Sequence, residues 1–325
     1  MRNGYGQLMI GSLLKELFPA LGRFMRYHAA RVFPGLGTPG TPAVSAAPTA
    51  AATAGVASIV ALNDTAGLDP KYLRPVQWPC YRTDVPSPEV ASNELFKLWT
   101  TIPGGHKWTH YFPIYQAIFG PRCTEPLRVL EIGVLRGASL RLWRQYFNNP
   151  KSIIVGVDID SACAKFDAPR EGIHVRIGSQ ADAVFLKQVV QEFGPFDLII
   201  DDGSHHSSHI IASFNHLFSD GLKDGGIYFV EDLHANYWHP WRDSRKSFLD
   251  VCKELLEYMH AHYRSAPPAA FMIEKASDQP SATLEVPLIT PMIDEMRFFD
   301  SIVAIYKRRR EYVPYYLRTA EQPQS

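Results

Sequence analysis

Two stretches of this chain finish in acids that a buried strand has no structural reason to carry. The first is Phe196-Asp197-Leu198-Ile199-Ile200-Asp201-Asp202-Gly203-Ser204-His205-His206, the second Tyr228-Phe229-Val230-Glu231-Asp232-Leu233-His234. If the two apolar runs are neighbouring strands, Asp202, Glu231 and Asp232 arrive together on one edge. Crowded carboxylates repel strongly at low dielectric, and a divalent cation relieves that repulsion. Oxygen-only ligation selects Mg²⁺, with Mn²⁺ or Ca²⁺ as alternatives, over zinc. His205 stands three residues past Asp202, so a tight turn brings its imidazole over the same cation. A hydroxyl bound there has a lowered pKa, and His205 is placed to remove its proton as general base. The competing reading makes the acids N-caps of the following helices and His205 a surface histidine. An acid pair closing a buried strand favours the metal. His205 and His209 also stand four apart, as a helical zinc pair does, but no third nitrogen and no H-E-x-x-H pattern accompanies them.

Three segments further up the chain have the makings of a nucleoside pocket. Leu130-Glu131-Ile132-Gly133-Val134-Leu135-Arg136-Gly137-Ala138-Ser139 follows an apolar run and opens a helical pattern. Gly133 and Gly137 let the backbone turn tightly and pass close to a ligand at a helix N-terminus. The spacing is not the G-x-G-x-x-G of dinucleotide sites, and a plain turn is the alternative. Next, Gly156-Val157-Asp158-Ile159-Asp160 places Asp158 where two ribose hydroxyls can donate to it, or where it caps a helix. Third, Gly178-Ser179-Gln180-Ala181-Asp182 offers Ser179 and Gln180 to an adenine edge.

The elements that must position these residues alternate short apolar runs with longer helical patterns. Helices are expected over Asn93–Thr100 and Tyr111–Phe119, then a strand over Leu127–Ile132 and an amphipathic helix through Leu140, Trp143 and Phe147. Strands follow at Ile153–Asp158, Ile173–Ile177, Phe196–Asp202 and Gly226–Glu231, with helices at Val184–Phe193, Ile210–Phe218 and Phe248–His262. Met296–Tyr306 reads as a strand or hairpin. Short continuous apolar strands between helices predict an α/β domain: a doubly wound, mostly parallel sheet covered on both faces. Right-handed crossovers bring the strand C-termini to one edge, where ligands bind.

Composition narrows the function classes. Lys+Arg and Asp+Glu both number 33 in 325 residues, without the basic bias that nucleic-acid binding calls for. Four dispersed cysteines predict a reduced, cytoplasmic compartment, and no apolar run is long enough to span a membrane. The first residues differ from the rest. Residues 8–32 form a basic amphipathic stretch interrupted by Pro19, suiting a membrane-surface helix, an organelle transit peptide or a small docked helix. The chain therefore divides into a helix within 1–33, an Ala/Pro/Gly-rich linker at 34–69, a helical cap or lid at 70–120, the catalytic domain at 121–312 and a tail at 313–325.

On "VLEIGVLRGASLRLWRQYF", "IVGVDID", "FDLIIDDGSHH" and "YFVEDLHANYW", with "FFDSIVAIYK" near the C-terminus, the chain resembles class I, metal-dependent S-adenosylmethionine O-methyltransferases. It is most similar to macrolide-sugar O-methyltransferases and the cephalosporin hydroxylase family, over about residues 105–307. The resemblance implies a Rossmann-like seven-stranded sheet and the cofactors S-adenosyl-L-methionine and Mg²⁺. It assigns Glu131, Gly133 and Gly137 to the methionine end of the cofactor, Asp158 to ribose, and Ser179 with Gln180 to adenine. Asp202, Glu231 and Asp232 match the metal ligands and His205 the base. The family's Thr-Asp-Lys segment before His-Gly-Tyr is matched in part by Lys107, His110 and Tyr111, with the Asp missing. The implied partner is a small-molecule or glycoside hydroxyl, with a homo-oligomer and a peripheral membrane contact as further expectations. A nicotinamide oxidoreductase lacks its glycine spacing here. A non-catalytic cofactor-binding protein and a metal-dependent hydrolase are the remaining rivals.

Overall fold

The two acid-terminated strands lie side by side at the centre of one sheet. The computed structural model describes residues 69–78, 85–267, 271–273, 283–314 and 316–317. The expected N-terminal helix and nearly all of the linker lie outside the described residues. The chain divides into two compact units, 1–81 and 82–325. In the first, the described residues form one 3₁₀ turn, Pro70–Leu73.

All the remaining described elements belong to the second unit. Its strands are β1 (Arg128–Ile132), β2 (Ile153–Asp158), β3 (Ile173–Ile177), β4 (Phe196–Asp201), β5 (Leu222–Val230), β6 (Met272–Ile273), β7 (Ile293–Phe299), β8 (Ile302–Lys307) and β9 (Tyr316–Leu317). Seven of them form a sheet in the order β3-β2-β1-β4-β5-β8-β7. β1 to β5 pair in parallel, and β8 and β7 join antiparallel as a hairpin. β6 and β9 make a separate parallel pair. The chain order reverses between β1 and β4, the switch point where doubly wound sheets open a crevice at their strand C-termini.

Strand alternation sorts the core into two faces. Val129, Ile154, Leu198 and Phe229 point to one, with Leu95, Tyr111, Phe112, Tyr115, Phe119 and Trp143 packed over them. Leu130, Val155, Ile199 and Tyr228 point to the other, beneath Leu186, Phe214, Leu217 and Phe248. The helices of this unit are α1 (Pro88–Ser92), α2 (Glu94–Thr100), α3 (Tyr111–Phe119), α4 (Ala138–Tyr146), α5 (Ala183–Phe193), α6 (Ser207–Leu217), α7 (Phe248–Met259) and α8 (Ala261–Arg264), and α2 to α7 carry these side chains. The region read as a cap contributes directly to this core: Phe119 and Phe229 rings meet at 4.8 Å, and Tyr115 meets Trp143 edge-on at 5.2 Å. Two or three such rings, each burying a large area, tie α3 to the sheet.

Several boundaries differ from expectation, among them the start of α6 at Ser207 rather than Ile210 and of β7 at Ile293 rather than Met296, and two have a plain physical reason. β5 starts at Leu222, not Gly226, because Leu222 pairs with Phe196 across a bulge that polar Lys223-Asp224-Gly225 conceals. The long helix expected over Phe248–His262 breaks at His260, whose φ of −104° leaves helical geometry, so α8 begins anew.

Candidate functional site

The edge that carries the candidate site is built from backbone first. Asp202 and Glu231 each lie one residue beyond their strands, yet both stay tied to the ladder: Asp202 N–H donates to Ile132 O (3.0 Å) and Glu231 N–H to Asp201 O (3.0 Å). This continuity brings the ends of β1, β4 and β5 together. Gly133, at φ +98°, crosses directly over the end of β4, where a Cβ would stand 2.2 Å from Asp202 O. Only glycine fits both that angle and that approach. Gly137, at φ +69°, then turns the chain into α4.

Asp158 braces this loop from the next strand. Its Oδ2 accepts from Val134 N (2.9 Å) and Leu135 N (3.0 Å), and its Oδ1 from Asp160 N (2.9 Å). The helix cap that competed for Asp158 is supplied by Asp160, which accepts from Ala162 N. Ser179 is half-buried in the third loop, its Oγ accepting from Ala181 N at 3.2 Å. Two of the expected cofactor residues face inward. Gln180 is buried, its Oε1 accepting from Ser204 N (2.8 Å) and its Nε2 donating to Asp201 (3.1 Å), so it staples the third loop to the fourth. Glu131 is fully buried behind the glycine turn, accepting from Ser139 Oγ and Trp143 Nε1 (both 2.9 Å). Burial pushes its carboxyl up to about 7, against Lys107 and Trp143, which favour the charge.

At the open end of this edge, Asp202, His205 and Asp232 offer ligand atoms that all lie within 4.8 Å of one another. His205 Nε2 stands 3.6 Å from Asp232 Oδ2. Both residues adopt left-handed backbone, at φ +59° and +54°, a conformation non-glycine residues hold at a cost and mostly at functional sites. Tyr111 OH donates to Asp232 Oδ1 (2.6 Å) and lies 2.9 Å from Ser301 Oγ, which fixes the carboxylate from behind. The zinc-type pair does not form, because α6 begins only at Ser207 and His209 Nδ1 is 2.8 Å from Ser204 Oγ.

Glu231 lies deeper, fully buried, and the cation beside it belongs to the protein. Lys107 Nζ sits 2.5 Å from Asp202 Oδ2 and 2.6 Å from Glu231 Oε2. Burial disfavours the ammonium, but the two carboxylates outweigh it and hold the Lys107 pKa well above the usual lysine value. Burial raises Glu231, with Lys107 opposing and Asp202 adding. Its second oxygen, Oε1, is buried without a hydrogen-bond partner. A divalent cation fits the Asp202, His205 and Asp232 group, which offers hard oxygen donors with a buried, unpartnered carboxylate oxygen behind it; Glu231 itself, engaged by Lys107, stands outside that group. Residue chemistry alone does not mark Lys107, Tyr111 or Ser301 as partners of this cluster. Lys107 lies in the aperiodic Pro103-Gly104-Gly105-His106 region, where only family resemblance marked it.

The chain is similar to sugar O-methyltransferases of secondary metabolism. It is 32% identical over 279 residues to L-olivosyl-oleandolide 3-O-methyltransferase of Streptomyces antibioticus, covering 80% of this chain and 62% of that protein. It is 37% identical over 177 residues to 8-demethyl-8-(2-methoxy-alpha-L-rhamnosyl)-tetracenomycin-C 3'-O-methyltransferase of Streptomyces olivaceus, covering 50% of this chain and 44% of that protein. The chain thus spans about half to three fifths of the length of these curated relatives. Among solved structures, the MycE methyltransferase of the mycinamycin biosynthetic pathway, in complex with Mg and SAH, superposes with a TM-score of 0.54 at 28% identity, over 68% of this chain and 55% of that one. Its complex with Mg, SAH and mycinamycin VI gives 0.53 at 26%, over 70% and 57%. No protein-family model matches the chain. The strand order and the MycE likeness together show the class I methyltransferase fold.

Proposed function

We propose that this chain is an S-adenosylmethionine-dependent O-methyltransferase that uses Mg²⁺ and methylates a hydroxyl of a sugar, in a secondary metabolite or a glycan. The observation that carries the reading is one juxtaposition: the glycine turn abuts Asp202 itself, and Asp202 stands with His205 and Asp232 in one cluster. The nucleoside loops and the carboxylates therefore share an edge. A metal-dependent hydrolase would need only the carboxylates.

The cofactor supplies an activated methyl group on a sulfonium. Gly133 and Gly137 would leave room for its methionine end, Asp158, whose Oδ1 accepts a single backbone N–H, would take its ribose, and Ser179 would line the adenine side, with Glu131 and Gln180 holding the loops from within. Asp202 and Asp232, with Glu231 behind them, would hold the cation, whose chemistry when bound would be to orient an acceptor hydroxyl and lower its pKa. His205 accepts the hydroxyl proton on its ring nitrogen, and Asp232 at 3.6 Å stabilises the imidazolium that results. Positioning donor and acceptor in line supplies about 7–11 kcal/mol of barrier reduction.

Supporting the location, Cys123, Cys163 and Cys252 are free thiols, which suits a cytoplasmic enzyme. Among the described residues no helix is long and apolar enough to cross a membrane. The test is incubation with trideuteromethyl-labelled cofactor, Mg²⁺ and glycosylated acceptors, followed by mass spectrometry. Label on an acceptor oxygen is expected, reduced about 10²–10⁴-fold in His205→Ala with cofactor binding intact. Undiminished transfer by that variant removes His205 as the base.

A further inference from the structure

Aromatic rings around the carboxylate cluster are left without a part in this scheme. Trp108 directly follows Lys107, and Tyr237 and Trp238 close the turn that begins after Asp232. Trp108 and Trp238 are each 50% exposed and Tyr237 is 75% exposed, whereas Trp143 in the core is fully buried. Grouped indoles kept half in water are costly unless something covers them. His234 stands between the two indoles, 5.3 Å from the Trp108 ring and 4.7 Å from the Trp238 ring, edge-on to both. Trp241 continues the row 6.3 Å from Trp238. The row is anchored at its inner end: His234 Nδ1 is 2.5 Å from Ser301 Oγ and 4.0 Å from Asp232 Oδ1. Since Asp232 in turn faces His205, the rings begin at the proton-accepting group and lead away toward solvent.

The geometry points to Trp108, His234 and Trp238 as a glycoside platform, on which the C–H face of a neutral sugar lies while one of its hydroxyls reaches the His205–Asp232 cluster. This rests on the methyl-transfer reading and adds the feature that makes a sugar, rather than any hydroxyl, the acceptor. A pyranose presents apolar C–H patches on its faces and hydroxyls around its rim. The shelf supplies rings for the former, and the His205–Asp232 pair supplies hydrogen-bonding groups for the latter. Asp300, whose charge also reaches His234 and which has no part in holding the cation, disfavours a phosphorylated or sulfated sugar and favours a neutral one. A purely aliphatic partner would gain nothing from acids set among the rings.

The experiment titrates the full chain, saturated with S-adenosylhomocysteine and Mg²⁺, with methyl α-L-rhamnopyranoside, read by saturation-transfer NMR. Transfer is expected to concentrate on the C–H protons of one sugar face. Trp108→Ala and Trp238→Ala should each weaken binding about three- to tenfold, Phe at either position should restore most of it, and affinity for S-adenosylhomocysteine should not change. Equal rhamnoside binding by the Trp108→Ala/Trp238→Ala double variant overturns the platform. So does absence of glycoside binding at millimolar concentration in a chain that binds S-adenosylhomocysteine. The two readings fail separately. A rhamnoside held by the indoles but never methylated sinks the methyl-transfer reading alone. Unimpaired methylation of glycosides by the double variant sinks the platform alone.

Discussion

Replacing Lys107 by Met removes a charge while keeping an apolar stem of similar reach. The Lys107 side chain is 6% exposed and bridges Asp202, at 20%, to Glu231, at 0%. Without the ammonium, a fully buried carboxylate faces another with no cation between them. Losing one partner of such a buried pair costs about 3–5 kcal/mol. The ammonium also sits 5.9 Å from the Tyr115 ring centroid, a smaller attraction that disappears with it. A divalent cation can take over the same neutralisation, and at a hundred times its Kd it adds about 2.7 kcal/mol to the folded state. Urea unfolding in EDTA should therefore show the variant less stable by about 3–5 kcal/mol, with the deficit narrowing substantially in excess Mg²⁺. The reasoning is refuted if the deficit is the same in both buffers, or if it is below about 1 kcal/mol in EDTA.

Three further outcomes follow from distances already given. Asp158→Asn trades a carboxylate that accepts three backbone N–H groups for an amide whose NH2 cannot accept; affinity for S-adenosylhomocysteine should fall about ten- to a hundredfold by calorimetry, and the thermal midpoint should fall with the lost brace. Glu131 carries a folded-state pKa of about 7 against 4.5 for the free group, so the native state holds its proton longer than the unfolded chain. Stability should fall by on the order of 3 kcal/mol as pH rises between those two values and level off above, and Glu131→Gln should abolish that slope in urea midpoints measured across the window. Gly133→Ala forces a Cβ to 2.2 Å from Asp202 O at φ +98°, so the turn and the β4 end must part; cofactor binding should disappear by calorimetry while far-ultraviolet circular dichroism stays native.

What the sequence disclosed and what it hid divide along a physical line. Continuous apolar runs locate buried parallel strands well, and β2 and β3 occur at the expected Ile153–Asp158 and Ile173–Ile177. Their ends, and hence the loops holding Gly133, Asp158, Ser179 and Asp202, follow from those runs. The polar start of β5 does not, since pairing with β4 rather than side-chain pattern makes it a strand. Within the cluster, residue type pointed to acids and an imidazole, but strand parity and depth decide their company. Glu231 turns inward to Lys107, while Asp232 stays near His205. Gln180 looked suited to adenine, yet its amide is taken by Ser204 and Asp201, a pairing between loops 21 and 24 residues apart that no local pattern encodes. Lys107 and the indole row share that property: both arise from segments with no period, brought together only by the packing of α3 on the sheet.

A cation bound by Asp202 and Asp232 would lie beside the glycine turn and so beside the sulfur of the proposed cofactor. The direct measurement is proton NMR of S-adenosylhomocysteine in exchange with the full chain, with paramagnetic Mn²⁺ substituted for Mg²⁺. Protons flanking the sulfur should broaden far more than those of the adenine ring, and Asp202→Asn/Asp232→Asn should erase the effect while S-adenosylhomocysteine still binds. Broadening that is equal along the ligand, absent, or undiminished in the double variant would contradict it.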